Sequence, residues 1–300
     1  MNYFGIFGAL LICGVWLEFL RRLDIFEPEK WKYTFMACAL GAVFTLFLMI
    51  VISLPVIRDI QPNGDLIHDF LFYVLRVGFF EEVVKIIPLL IMVAITKEVN
   101  EPYDFLKFAM CSALGFATLE NILYFNEQGN AIIDKRAYIS VVGHLSFTCC
   151  FAYGIIRKQM FEKGIQSLNV LFFGALAIVL HGLFDFFLSA GFAIIFFILL
   201  SYFLVIMLRN MINTALNFSP FFDKVHSSKI QLAFSWLFMG LIAVFGFAFV
   251  AILIEKGLAE AIDFFIGNII LSGTLIFFLP GRLSRLVLER SNRINIFTHK

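Results

Sequence analysis

The chain is 300 residues long, 61% hydrophobic and 15% charged, with a formal net charge of +1 and a mean hydropathy of +0.92. A water-soluble core does not absorb that much apolar surface, and so balanced a charge gives a polyanionic partner such as nucleic acid nothing to bind. The composition defines an all-α, polytopic transmembrane helical bundle in contact with a lipid bilayer, with forty phenylalanines to fill lipid-facing and interhelix space.

A helix needs roughly 20 apolar residues to cross the hydrocarbon. Runs of that kind occur near 2–20, 34–57, 69–96, 105–125, 137–157 and 168–188, and again near 191–208, 231–254 and 262–279. About nine spans are therefore predicted, with Ser189-Ala190-Gly191 as a tight turn between two of them. The first run has no basic residue before it, carries Arg21 and Arg22 after it and lacks a small-x-small cleavage site, so it reads as a retained helix. Nine spans with the N-terminus outside place 17 basic residues inside: Arg21, Arg22, Lys30, Lys32, Lys97, Lys107, Arg157, Lys158, Lys163, Arg209, Lys224, Lys229, Arg282, Arg285, Arg290, Arg293 and Lys300. Four fall outside: Arg58, Lys135, Arg136 and Lys256. Lys and Arg favour the cytoplasmic side, so this bias predicts an inside C-terminus. Cys13, Cys38, Cys111, Cys149 and Cys150 all fall within predicted spans, without a CxxC pair, and are expected to be buried thiols. With no fixed-period repeat and no long linker, residues 1–300 read as one integral membrane domain.

Polar chemistry is concentrated in spans three to six. Glu81, Glu82 and Lys85 lie in the third, Glu120 in the fourth, His144 in the fifth, and His181 with Asp185 in the sixth. A charge at the bilayer centre costs roughly 2.5–3.5 kcal/mol on insertion scales, so these groups must face one another, a cavity or an ion. Lys85 falls one turn below both Glu81 and Glu82, and Asp185 one turn from His181, close enough to fix its tautomer. Phe116, Glu120 and Tyr124 share a stripe with Asn121 beside it, the two aromatic rings being read as packing. Arg76 is expected to pair with Glu120 or a carboxylate near it. Counted from the predicted outer helix ends, Glu81, Glu120, His144 and His181 lie roughly 9–18 Å deep, one layer shared by four helices.

Peptide hydrolysis needs an activated water and a stabilised oxyanion, and a desolvated carboxylate is a good base near neutral pH. Glu81 or Glu82 fits that base. His181, held by Asp185, fits an oxyanion donor or a metal ligand. Glu120, His144 and His181 would make a two-histidine, one-carboxylate set of the kind that holds catalytic zinc with one position open, although no HExxH motif is present.

Glu81-Glu82-x-x-Lys85, Phe116-x-x-x-Glu120-Asn121-x-x-Tyr124, His144 and His181-x-x-x-Asp185, in that order on four spans, resemble the PrsW family of intramembrane proteases, within the wider group of type II CAAX prenyl proteases and bacteriocin-processing proteins. The resemblance covers about 67–190, which makes that segment the catalytic core and leaves 1–66 and 191–300 as peripheral helices. It implies cleavage of a single-span membrane protein, such as an anti-sigma factor, near its extracytoplasmic side in a bacterial cytoplasmic membrane. It also implies catalytic positions at Glu81, Glu82, Lys85, Glu120, His181 and Asp185, with Glu81 activating water and His181 and Asp185 supporting the tetrahedral intermediate. Asp185 stands where the prenyl proteases carry Asn, and Glu120 where they carry His. A proton- or ion-coupled carrier and a non-catalytic scaffold of the same fold are the alternatives. A carrier predicts pseudo-repeated halves with matching broken helices, whereas the ionisable groups here form one contiguous block.

Overall fold

In the computed structural model the described residues are 2–58, 60–156, 167–190, 194–223 and 227–290. They form nine long helices: α1 (Tyr3–Leu23), α2 (Trp31–Ile52), α3 (66–95), α4 (Pro102–Gln128), α5 (Asn130–Ile156), α6 (Ser167–Ser189), α7 (Ile194–Asn217), α8 (Ser227–Lys256) and α9 (Leu258–Leu283). Eight of them are long and apolar enough to cross a bilayer. The ninth, α3, carries Arg76, Glu81, Glu82 and Lys85 within its length, and its charge sets it apart.

Each helix is an apolar run that closes its own backbone hydrogen bonds, as the absence of water in a bilayer demands. Several extend beyond the predicted spans, because a helix continues through the interfacial layer after its apolar run has ended. α5 begins at Asn130 instead of 137, and α7 reaches Asn217, which takes Arg209 and Asn210 out of the expected loop and into a helix. The chain leaves α6 at Ser189 and re-enters helix at Ile194, so 168–208 holds two helices. Gly191 of the expected turn lies outside the described residues. All five cysteines are free; Cys13 Sγ and Cys38 Sγ meet at 3.7 Å across α1 and α2.

α4 and α5 occupy the middle. α4 packs against α1, α2, α3 and α5, while α5 also packs on α6 and α7; α8 and α9 pair and lean on α1 and α7 respectively. Large apolar side chains on the outside, among them Ile67, Ile270 and Phe277, are left for lipid. At one end of the bundle Asn2 caps α1 by accepting from Gly5 N, and its Nδ2 donates to Phe125 O and Asn130 Oδ1, both at 2.8 Å, fastening α1 to the α4–α5 corner.

Two features of α3 place the site. Residues Phe72–Gly78 form wide π-helical turns between α-helical Leu66–Leu71 and Phe79–Ile95. Within these turns α3 crosses α6 backbone to backbone: a methyl built on Gly182 would lie 2.5 Å from Val74 Cα, and one on Gly78 2.6 Å from Ile178 O. Glycine is required at that crossing because any side chain would push the helices apart. Gly182→Val is expected to cost about 1–3 kcal/mol through overpacking. Gly267→Ala, where a methyl meets open space, should be neutral. Thermal unfolding of both variants in detergent checks this, and equal midpoints would remove the crossing as a determinant.

Candidate active site

Glu81 and Glu82 sit in the first α-helical turn after the π segment, and Lys85 lies one turn further along α3. The Lys85 ammonium is fully buried and donates to Glu81 Oε2 and Glu82 Oε1, each at 3.0 Å. Its third partner comes from α5, where His144 Nδ1 lies 2.9 Å away, and the Phe116 ring of α4 closes over it at 4.1 Å. An ammonium only donates, so His144 Nδ1 accepts and carries its proton on Nε2, which faces Glu120 Oε2 at 2.8 Å.

Glu82 is sealed and fully engaged. His181 Nδ1 donates to its Oε1 at 2.8 Å, and Thr148 Oγ1 donates to its Oε2 at 2.9 Å. With Nδ1 donating to Glu82, His181 presents Nε2 to two carboxylates, Glu81 Oε2 at 3.6 Å and Asp185 Oδ2 at 3.5 Å, a setting that favours a positive charge at that nitrogen, a proton or an ion, while Phe147 stacks on its ring at 4.7 Å. Glu81 is the exposed member of its pair and, with Glu120, Arg136, His144, His181 and Asp185, borders a cavity of about 410 Å³.

Arg136 is the group that sequence reasoning missed. It was placed in an outer loop, but α5 starts early enough to hold it two turns before His144. Its guanidinium pairs with Glu120 and Asn121 at once and lies 4.0 Å over the Tyr124 ring. Arg76 does not reach Glu120: it lies beside Ile57 O, over the Phe72 ring, in a groove with Ile60 and His68. Thr148 was also missed, although it lies one turn from His144 and therefore on the same face.

The donors suit a metal ion. Glu81, His144 and His181 each offer one ligand atom, all within 4.8 Å of one another. Ligands on a tetrahedral ion bound at 2.0–2.2 Å stand about 3.3–3.6 Å apart, which matches the Glu81–His181 spacing. Glu81, Glu82 and Asp185 all approach the His181 ring, so this side of the cavity is acidic and favours a cation. Glu120 stands behind His144 in this arrangement, bound to Nε2 and Arg136.

Three carboxylates and two histidines from four helices around one intramembrane cavity, with the Glu82–Lys85 pair buried behind them, are the chemistry of an intramembrane hydrolase. The family model described as PrsW family intramembrane metalloprotease matches residues 29–209, and the chain belongs to that family. It is 33% identical over 206 residues to Protease PrsW of Clostridioides difficile (strain 630), covering 66% of this chain and 84% of that one. It is 28% identical over 190 residues to Protease PrsW of Bacillus subtilis (strain 168), covering 62% and 84%. No solved structure matches. The family match ends inside α7, so α8 and α9 lie beyond it.

Proposed function

We propose that this peptidase cleaves a single-span membrane protein of the anti-sigma-factor kind, in the extracytoplasmic half of a bacterial cytoplasmic membrane. α3 crosses as the ninth span, with the N-terminus outside and the C-terminus inside, as the Lys and Arg bias favours. The observation that carries the reading is the meeting of Glu81, His144, His181 and Asp185 at one cavity, with Lys85 and Glu82 sealed behind them.

Glu81, His181 and His144, whose Nδ1 would exchange the Lys85 ammonium for the ion, would hold the metal, for which the mixed nitrogen and carboxylate set suits zinc. Bound there, a metal lowers the pKa of water and polarises the scissile carbonyl. Glu81 Oε1, which has no hydrogen-bond partner among the described residues, takes the proton of the attacking water and returns it to the leaving nitrogen. Glu82 orients His181 through Nδ1, so that Nε2 faces the cavity. Lys85 places one ammonium between Glu81 and Glu82 and offsets their charge. Arg136 holds Glu120 in place behind His144.

The test pairs turnover with metal content. Glu81→Gln should lower cleavage of a single-span reporter at least a thousandfold, and both Glu81→Gln and His181→Ala should lose the zinc that mass spectrometry finds in wild type. Wild-type cleavage by the Glu81 variant would end the proposal.

A further inference from the structure

At the other end of the bundle is a second set of buried acids that the proteolytic site does not use. Asp24 follows α1, Glu29 lies in the connection to α2, and Glu101 and Asp104 open α4, where they form a capping box. None of the four is more than 7% exposed. Asp104 precedes Glu120 by 16 residues on α4, about 24 Å along the axis, so the two clusters are separate.

Lys107 is the cation that reaches this cluster. Its Nζ donates to Asp24 Oδ2 at 2.6 Å, contacts Glu29 and lies 3.7 Å from Asp104 Oδ1. Arg21 and Arg22 close on Glu18 and lie over Trp31 and Trp236. Among the described residues one ammonium thus pairs with Asp24, Glu29 and Asp104, and only Arg21 adds a more distant positive charge at Asp24. Ser219 donates to Glu101 Oε2, but Asp24 Oδ1, Glu29 Oε1, Glu101 Oε1 and Asp104 Oδ1 are sealed from solvent with no hydrogen-bond partner among the described residues. A buried acceptor without a donor is costly, and four at one place mark a missing positive charge.

Asp24, Glu29 and Asp104 each present one carboxylate oxygen, and these oxygens all lie within 4.8 Å of one another. A set made only of carboxylate oxygens is hard and selects Ca²⁺ or Mg²⁺ over zinc or copper. Mg²⁺ demands near-ideal octahedral geometry and keeps several waters, whereas Ca²⁺ accepts a flexible shell of carboxylate oxygens, so a solvent-sealed set drawn from separate segments suits the larger ion.

We propose that Asp24, Glu29 and Asp104 form a second metal site for Ca²⁺, with Glu101 beside it, that ties the α1–α2 connection to the start of α4 on the face opposite the proteolytic cavity. The ion replaces missing hydrogen-bond donors and cross-links two segments far apart in sequence. The proposal is independent of the hydrolytic reading. Its test is equilibrium dialysis of radioactive calcium against the detergent-purified full chain, as wild type and as the Glu81→Gln/His181→Ala variant, which removes the first donor set. Both should bind one ion per chain. Asp104→Asn and Glu29→Gln should each weaken binding at least tenfold, and Ca²⁺ should raise the thermal midpoint of wild type without moving theirs. The two variants disturb different segments, so either reads the result if the other fails to fold. No saturable calcium in wild type, or unchanged binding in every folded variant, overturns the site and leaves the acids protonated.

Discussion

Lys85→Met is expected to abolish cleavage and to destabilise the protein by about 3–5 kcal/mol, the range for a buried ion pair that loses one partner. Methionine nearly matches the lysine stem in length, so the change removes a charge and leaves little cavity. Glu82 would then be a fully buried carboxylate without its ammonium, and Glu81 and His144 would lose the donor that they share. The double variant Lys85→Met/Glu82→Gln separates the two consequences. With no fully buried carboxylate left unpaired at position 82, and with Glu81 open to the cavity, it should regain most of the stability, since His181 and Thr148 still find a polar partner, yet it should remain inactive. Unfolding in detergent and cleavage of a single-span reporter give both readings. Equal stability of the single and double variants would show that charge compensation is not what Lys85 contributes.

Arg136→Lys should lower turnover about 10- to 100-fold, the range for removing a group that orients a ligand, while leaving KM and the thermal midpoint nearly unchanged. Lysine keeps the charge but not the planar fork that lets one guanidinium hold Glu120 and Asn121 together over the Tyr124 ring. Glu120 then moves, and His144 loses the carboxylate that fixes its Nε2 proton. Arg136 acts through Glu120, so a drop in kcat with KM preserved is the signature of positioning. Wild-type turnover in this variant would show that Glu120 needs no such anchor.

Much of the fold was legible because the bilayer imposes a length and forbids unpaired backbone, and helical spacing foretold the contacts of Lys85 with Glu81 and Glu82 and the approach of His181 to Asp185. Contacts between helices were harder, since sequence spacing carries no azimuth between separate segments. Depth alone brought Glu81, Glu120, His144 and His181 to one layer, but not the bond from Lys85 to His144 or from His181 to Glu82. Arg136 was hidden by its position just before an apolar run, where a cation reads as an interfacial anchor. Asp24, Glu29, Asp104 and Lys107 were hidden likewise, because charge at a helix end costs little and attracts no notice until burial is known.

The π segment Phe72–Gly78 acts as a phase setting. Each residue advances an α-helix by about 100°, so one extra residue accommodated in wide turns turns everything after it by that angle without lengthening the loop before it. Glu81, Glu82 and Lys85 face inward, and Arg76 outward, in consequence of where that extra residue is absorbed. Deleting a single residue between Phe72 and Gly78 would let the segment relax to α-helix and swing both carboxylates off the α5–α6 side, although every chemical group of the site would still be present in the chain.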